Sequence, residues 1–322
     1  TSSSARVAAT SQPAGRYAAF KTWILAILLP VFFMATGGVY WLTTTTAGLQ
    51  WLLTTVSRAS DDALVFTDVT GSLPSLRIGR VIYQDEEYVV KIEKLAIDWR
   101  PRDLLNRTLL IEAFTMDTVE FSSAPSDAPL SLPDTLQLPI DVVINQLGIR
   151  SLRTFTLGMD TPDFSAQQLV LRLIGSDTLY QFPVFSLTLE QGKLAGRLQI
   201  ATHAPFDLSS LIVLHDWPAA LAADYPVSSY ISLHLKGDLK QTRAVLAIQA
   251  GELRGHGMIA LQPFDIQPLT ALNLELDNLD PQRLSAGFPS ARLSLTTKLQ
   301  QTEQGVLQGH LEIHNTQPQP LD

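Results

Sequence analysis

Residues 185–200, FSLTLEQGKLAGRLQI, carry the pattern from which the rest of the chain is read. Phe185, Leu187 and Leu189 alternate with Ser186, Thr188 and Glu190, a period of two that puts every second side chain on one face of a strand. Gly192-Lys-Leu-Ala-Gly196-Arg-Leu-Gln-Ile200 follows and runs on to Pro205-Phe-Asp207. Leu194, Gly196 and Ile200 share a face under the same period. The motif returns as Gly251-Glu-Leu-Arg-Gly255-His-Gly-Met-Ile259 before Pro263-Phe-Asp265, and as Gly305-Val-Leu-Gln-Gly309-His-Leu-Glu-Ile313 before Pro318. Its first glycines are 59 and 54 residues apart, the spacing of a stacked supersecondary unit with variable loops. A glycine on an apolar strand face leaves a gap or a bend, so the recurrence predicts curvature that repeats along the body.

Working outward, the same alternation sets Leu169, Leu171 and Leu173 against Val170 and Arg172, and Ile231, Leu233 and Leu235 against Ser232, His234 and Lys236. Leu272, Leu274 and Leu276 alternate with Asn273, Glu275 and Asp277; Leu293, Leu295 and Leu299 stand against Arg292, Ser294 and Lys298. The expected fold is mainly β: an elongated, curved antiparallel sheet of repeats. Pro101–Asn106 is the best competing helix in the body, a turn or two with proline near its start. Residues 61–121 read as a first β segment and 140–322 as the repeated one. The Pro- and Ser-rich stretch 122–139, SSAPSDAPLSLPDTLQLP, reads as a linker or crossing loop. The first residue is Thr and the third copy ends with the chain, so the array is expected to continue past Asp322 in a longer protein.

Upstream the period changes. Residues 22–42, TWILAILLPVFFMATGGVYWL, are 21 residues without a charge, about 31 Å as a helix against a hydrocarbon core of about 30 Å. Trp23 stands at one end and Tyr40 with Trp41 at the other, where amphipathic rings prefer the headgroup level. Pro30 and Gly37-Gly38 are compatible with a membrane helix. Residues 1–60 contain Arg6, Arg16, Lys21 and Arg58 and no acid. The cations ahead of Trp23 place 1–21 in the cytoplasm and the body outside it. A cleaved signal peptide, with Met34-Ala-Thr-Gly37 as a poor cleavage site, would export the body equally. Within 43–60, Leu49, Leu52, Leu53 and Val56 recur at helical spacing, with Thr46 as the expected cap: a short amphipathic helix.

Composition excludes several functions. The 322 residues are 46% hydrophobic with a net charge of −8, and because the first 60 are basic the remainder carries −12, which repels phosphate backbones and argues against nucleic-acid binding. No cysteine is present, which removes disulfides and thiolate chemistry. No phosphate loop, nucleophile elbow or zinc-protease motif occurs, so neither catalytic residues nor cofactors are expected. His310 and His314 share a strand face with Glu312 between them, better read as a solvated face than as a metal site because a third ligand is lacking. Asp85-Glu86-Glu87 reads as a hairpin turn rather than an acid–base pair. Asn106-Arg-Thr108 matches a glycosylation acceptor, too short a pattern to decide anything.

The apolar faces remain. They form either an ordinary sandwich core or the inner face of an open sheet that receives acyl chains. The residues expected to line such a groove are Leu169, Leu171, Leu173, Phe185, Leu187, Leu189, Ile231, Leu233, Leu235, Leu272, Leu274, Leu276, Leu293 and Leu295.

Short segments in a fixed order then carry a resemblance. Thr45-Thr-Ala-Gly-Leu49 leads into Val69-Thr-Gly-Ser-Leu73, Leu76-Arg-Ile-Gly79, Val89-Val-Lys-Ile92 and Leu95-Ala-Ile-Asp-Trp99. Leu104-Leu105, Leu109-Leu-Ile-Glu112, Pro139-Ile-Asp-Val-Val143 and Leu147-Gly-Ile149 follow. Over about residues 20–155 this order resembles the N-terminal part of the TamB family, inner-membrane subunits of translocation and assembly modules within the broader AsmA-like group. The resemblance implies a single-pass bacterial inner-membrane protein with an N-terminal signal anchor and a taco-like periplasmic β-sheet. It further implies phospholipid as cargo, an outer-membrane Omp85-class partner of the TamA type reached through a C-terminal region absent here, and a part in outer-membrane protein assembly. The other function in view is an assembly scaffold that holds clients by β-augmentation without transporting lipid.

Overall fold

The computed structural model describes residues 44–60, 63–125, 132–216, 229–265, 267–284, 288, 290–302 and 304–316. The expected span 22–42, with Trp23, Tyr40 and Trp41, lies outside them. Among the described residues no helix is long and apolar enough to cross a membrane.

Helix α1 (Thr46–Ala59) opens the described chain. Its cap is Thr45, whose hydroxyl accepts from Gly48 N at 3.0 Å; the expected cap, Thr46, is already inside the helix and donates its hydroxyl to the Gly71 carbonyl. Strands β1 (Leu64–Ser72), β2 (Ser75–Gln84) and β3 (Tyr88–Arg100) form a meander, and a 3-10 turn at Pro101–Asn106 leads to β4 (Thr108–Ser123). Next come β5 (Asp141–Thr156), β6 (Phe164–Gly175), β7 (Leu179–Leu189), β8 (Gly192–Ala201) and β9 (Leu208–His215). The set is completed by β10 (Tyr230–Gly237), β11 (Thr242–Ala250), β12 (Leu253–Leu261), β13 (Leu269–Leu279), the single turn α2 (Pro281–Leu284), β14 (Leu293–Gln301) and β15 (Leu307–Asn315).

All fifteen strands form one sheet in chain order. Every pair is antiparallel except β4/β5, which is parallel, so the fully antiparallel expectation is corrected at one seam. A parallel pair needs a connection that returns the chain to the starting end, and residues 124–140 make it. Its described part is held at the lower end of the sheet by a hydrogen bond from the Tyr180 hydroxyl to the Leu136 carbonyl (2.6 Å) and by the Thr135–His203 bridge.

The three glycine motifs occupy β8, β12 and β15, each just after a hairpin turn, and the two Pro-Phe-Asp corners close β8 and β12. The second copy lies four strands on from the first, and the third lies three on from the second. The variation is thus a whole strand rather than loop length, and the third copy runs in the opposite direction. The expected gaps are filled. At Gly196 a Cβ would meet the Leu211 carbonyl oxygen and the Phe185 ring, and at Gly255 the side chains of Leu276 and Ile248.

In β1–β6 the register contains a feature that no single strand reveals. Asp68, Gly79, Lys94, Asp117, Arg150 and Gln168 stand between consecutive register partners, level with one another on six adjacent strands. At that level each strand spends one extra residue: apolar positions follow at a spacing of three instead of two, as in Phe66–Val69, Ile78–Val81, Ile92–Leu95 and Met116–Val119. Asp68, Lys94 and Gln168 take up the change at φ 55°, 51° and 53°. Because all six strands slip together, pairing survives. The extra residue adds length to the polar face, so the strands bend toward the apolar one, as at a bulge. Beside this crease Ile78, Val81, Leu95 and Met116 form a buried cluster, joined by Leu53 of α1.

Candidate apolar face

Directly opposed residues in neighbouring strands share a face, so the register traces the surface. One row crosses the entire sheet: Gly71, Leu76, Ile97, Phe114, Leu147, Leu171, Phe185, Gly196, Ile212, Leu233, Leu246, Gly257, Leu274, Thr297 and Leu311. It contains no charge. Its one polar side chain, Thr297, donates its hydroxyl to the His310 carbonyl. From β7 onward two further rows flank it, about 7 Å away on either side. One runs through Leu187, Leu194, Leu214, Ile231, Ile248, Gly255, Leu276, Leu295 and Ile313. The other runs through Phe182, Leu198, Ser210, Leu235, Ala244, Ile259, Leu272, Leu299 and Gly309, with the Ser210 hydroxyl bonded to the Arg197 carbonyl.

All fourteen residues expected to line a groove lie on this face, and all fourteen are half-buried, none fully. An opposing sheet would bury them. Among the described residues extensive contacts join only neighbours in strand order, apart from α1 on β1 and the 3-10 turn on β4, and there the sheet is open. Among residues not singled out in advance are Ile212, Leu214, Leu246 and Ile248 on β9 and β11. There the runs Leu211-Ile-Val-Leu214 and Val245-Leu-Ala-Ile248 are continuously apolar, and alternation gives no phase.

The opposite face is ionic. Arg80 faces Glu93 at 3.5 Å, Arg153 faces Glu120 at 3.7 Å, and Arg77 holds Asp98 at 2.8 Å. At the crease Asp117 lies between Lys94 (3.1 Å) and Arg150 (3.0 Å). Such exposed pairs are each worth about 0–1 kcal/mol; they set which face meets water more than they stabilise. The Arg77 guanidinium and the Ser75 hydroxyl hold the Asp98 carboxyl below the usual range. In the β2–β3 turn the Tyr83 hydroxyl donates to Asp85 at 2.6 Å. That bond, with the Tyr88 and Glu87 amides, lowers the Asp85 pKa, and Asp85 in turn raises that of Tyr83. Asp85-Glu86-Glu87 is thus a turn. His314 stands 3.9 Å from Glu312 on exposed β15, and among the described residues no three His, Cys, Asp or Glu side chains are grouped to hold a metal ion. Asn106 ends the 3-10 turn, its carbonyl accepting from the Thr108 hydroxyl.

Residues 35–179 match the family model described as TamB, N-terminal domain. The match takes in α1 and all six creased strands and stops at the first residue of β7. No curated protein and no solved structure matches the chain.

Proposed function

We propose that this chain, whose residues 35–179 match the model of the TamB N-terminal domain, is the inner-membrane end of a periplasmic bridge that carries phospholipid acyl chains along its apolar face toward the outer membrane. The supporting observation is the uncharged row from Leu76 to Leu311, which passes through fourteen consecutive strands and has no opposing layer among the described residues. Magnitude gives the row its use. Exposing a methylene to water costs about 0.8 kcal/mol, so moving a chain of roughly fifteen through water costs about 12 kcal/mol. A continuous apolar surface removes most of that barrier. The role needs no reaction step, and residues 22–42 serve as the anchor. An Omp85-class outer-membrane protein of the TamA type is the partner at the far end of the bridge.

The test places photoreactive side chains at Leu233 and Leu274, and at the outward-facing His234 and Glu275, in cells with labelled phospholipid. Adducts at the two leucines alone are expected; adducts at the outward pair alone would refute the proposal. Leu233→Asp with Leu274→Asp is expected to stop lipid passage. The second reading, strand addition to client proteins, draws on β15, whose nine residues are all exposed. Under that reading the aspartate variant keeps full assembly activity.

A further inference from the structure

We propose that α1 is a foot that lies in the interfacial layer of the bilayer and stands the sheet upright, so that strand order measures height above the membrane. The inference rests on the anchor assigned above to residues 22–42.

Helix α1 runs antiparallel along the outer edge of β1: Thr46 Oγ1 donates to the Gly71 carbonyl (2.9 Å) and Gln50 Nε2 to the Val69 carbonyl (3.3 Å). Leu49, 1% exposed, and Leu53 turn inward. A surface helix of a water-soluble body carries polar residues away from its packed side; on α1 Thr46, Gln50, Thr54 and Arg58 are exposed, and beside them runs a second exposed stripe that is not polar. Trp51 is 56% and Val56 40% exposed. Thr55 spends its hydroxyl on the Trp51 carbonyl (2.8 Å), and its methyl is what remains to face outward. Ala59 extends the stripe. Arg58 is the only charge in the fourteen residues, and no acid occurs among residues 1–60. An exposed tryptophan, small apolar groups and one cation, without an acid, suit an anionic membrane interface. Reach fits as well: from Leu42, the end of the anchor, to Thr46 is at most about 14 Å of extended chain.

The geometry has a consequence. With α1 in the membrane plane, β1 lies in that plane too, and each further strand adds about 4.8 Å, or about 67 Å over the fourteen steps to β15. The Gly71 and Val69 carbonyls of the β1 edge are met by α1 side chains, so α1 occupies the side of β1 opposite β2.

The chain has no cysteine, so single-cysteine variants of the full chain in liposomes of mixed zwitterionic and anionic phospholipid carry one spin label each. Labels at Trp51→Cys and Thr55→Cys are expected to collide with oxygen in preference to a water-soluble nickel chelate, and Gln50→Cys to show neither preference. Height is read by energy transfer to the bilayer surface from a fluorophore attached instead at Glu86→Cys, Glu190→Cys or Glu252→Cys, on the turns after β2, β7 and β11; successive labels should rise by roughly 20 Å. Chelate-accessible labels at 51 and 55, or three equal heights, would overturn the foot. Since Leu233 and Leu274 adducts are scored separately, a failed foot leaves the conduit standing, and a failed conduit leaves the depth pattern.

Discussion

Strands β1–β6 and β7–β15 share one sheet and one apolar face, yet the buried cluster on that face lies in the first region. Beside the crease Ile78 is 3% and Met116 8% exposed, and α1 adds Leu53 to the cluster. From β7 onward no leucine, isoleucine or phenylalanine of the three rows is buried. Hydrophobicity does not separate the regions. What differs is one additional residue per strand, placed level in six strands, beside which the first region packs its own side chains. The proposed function needs both: a region that fills itself and holds its shape beside the anchor, then an apolar surface that something else must fill.

That distinction is broken most directly by truncation. Met116→Ala should cost about 3 kcal/mol, the ordinary loss for a buried side chain, whereas Leu233→Ala should cost about 1 kcal/mol, since part of its surface is already in water. Hydrogen exchange in β3–β4 and in β9–β10 reads each loss locally. Equal losses would mean that the second region is as closed as the first. Gly79→Val comes next. A Cβ there would stand 2.7 Å from the Asp68 Cβ, and overpacking of that kind costs about 1–3 kcal/mol. Protection should fall across β1–β3 and be unchanged in β10–β12.

A smaller effect sharpens the crease itself. Gln168 holds φ 53°, a conformation that costs a side-chain-bearing residue about 1–2 kcal/mol and glycine almost nothing. After glycine's larger folding entropy is set against this, Gln168→Gly should gain about 0.5 kcal/mol. Gln168→Val should lose about 1–2 kcal/mol because a β-branched residue fits that region worst. Opposite signs in paired denaturation curves are the expected result; matching signs would place the slip elsewhere.

The open region was the more legible one. Alternation at Leu233 and Leu274 assigned a face correctly because each strand there keeps one phase from end to end. The crease was written in the sequence as well, in the three-residue steps Ile78–Val81, Ile92–Leu95 and Met116–Val119. A single such step reads as noise, however, and its meaning comes only from strand pairing that brings six of them level, including the parallel seam of β4 and β5. The glycine motif marked real strands but overstated their regularity, since Gly196, Gly255 and Gly309 fall in three different rows. Thr46 was a reasonable cap by type, and Thr45 displaced it because Thr46 satisfies the β1 edge.

The smallest predicted effect is on pH, and it belongs to the creased region alone, where the groups with displaced titrations lie among the described residues. Asp85 and Asp98 titrate below their ordinary value when folded, so the stability they add is present above an unfolded value of about 3.9 and disappears as the pH falls through the folded one. Tyr83 is displaced upward by the same bond; its contribution is present below about 10 and lost as the pH rises through its folded value. One hydrogen bond in the β2–β3 turn is therefore strongest between these limits and weakens at both. The Glu87 and Tyr88 amides, which donate to Asp85 at 2.8 and 2.7 Å, report it. After correction for intrinsic rates, their protection should be flat from pH 5 to 9 and drop below about 4. Asp85→Ala should erase the acid limb at these two amides while leaving that of the β2–β3 strand ends, where Arg77 and Asp98 meet. A limb that survives the substitution would move the titration from Asp85 to another group.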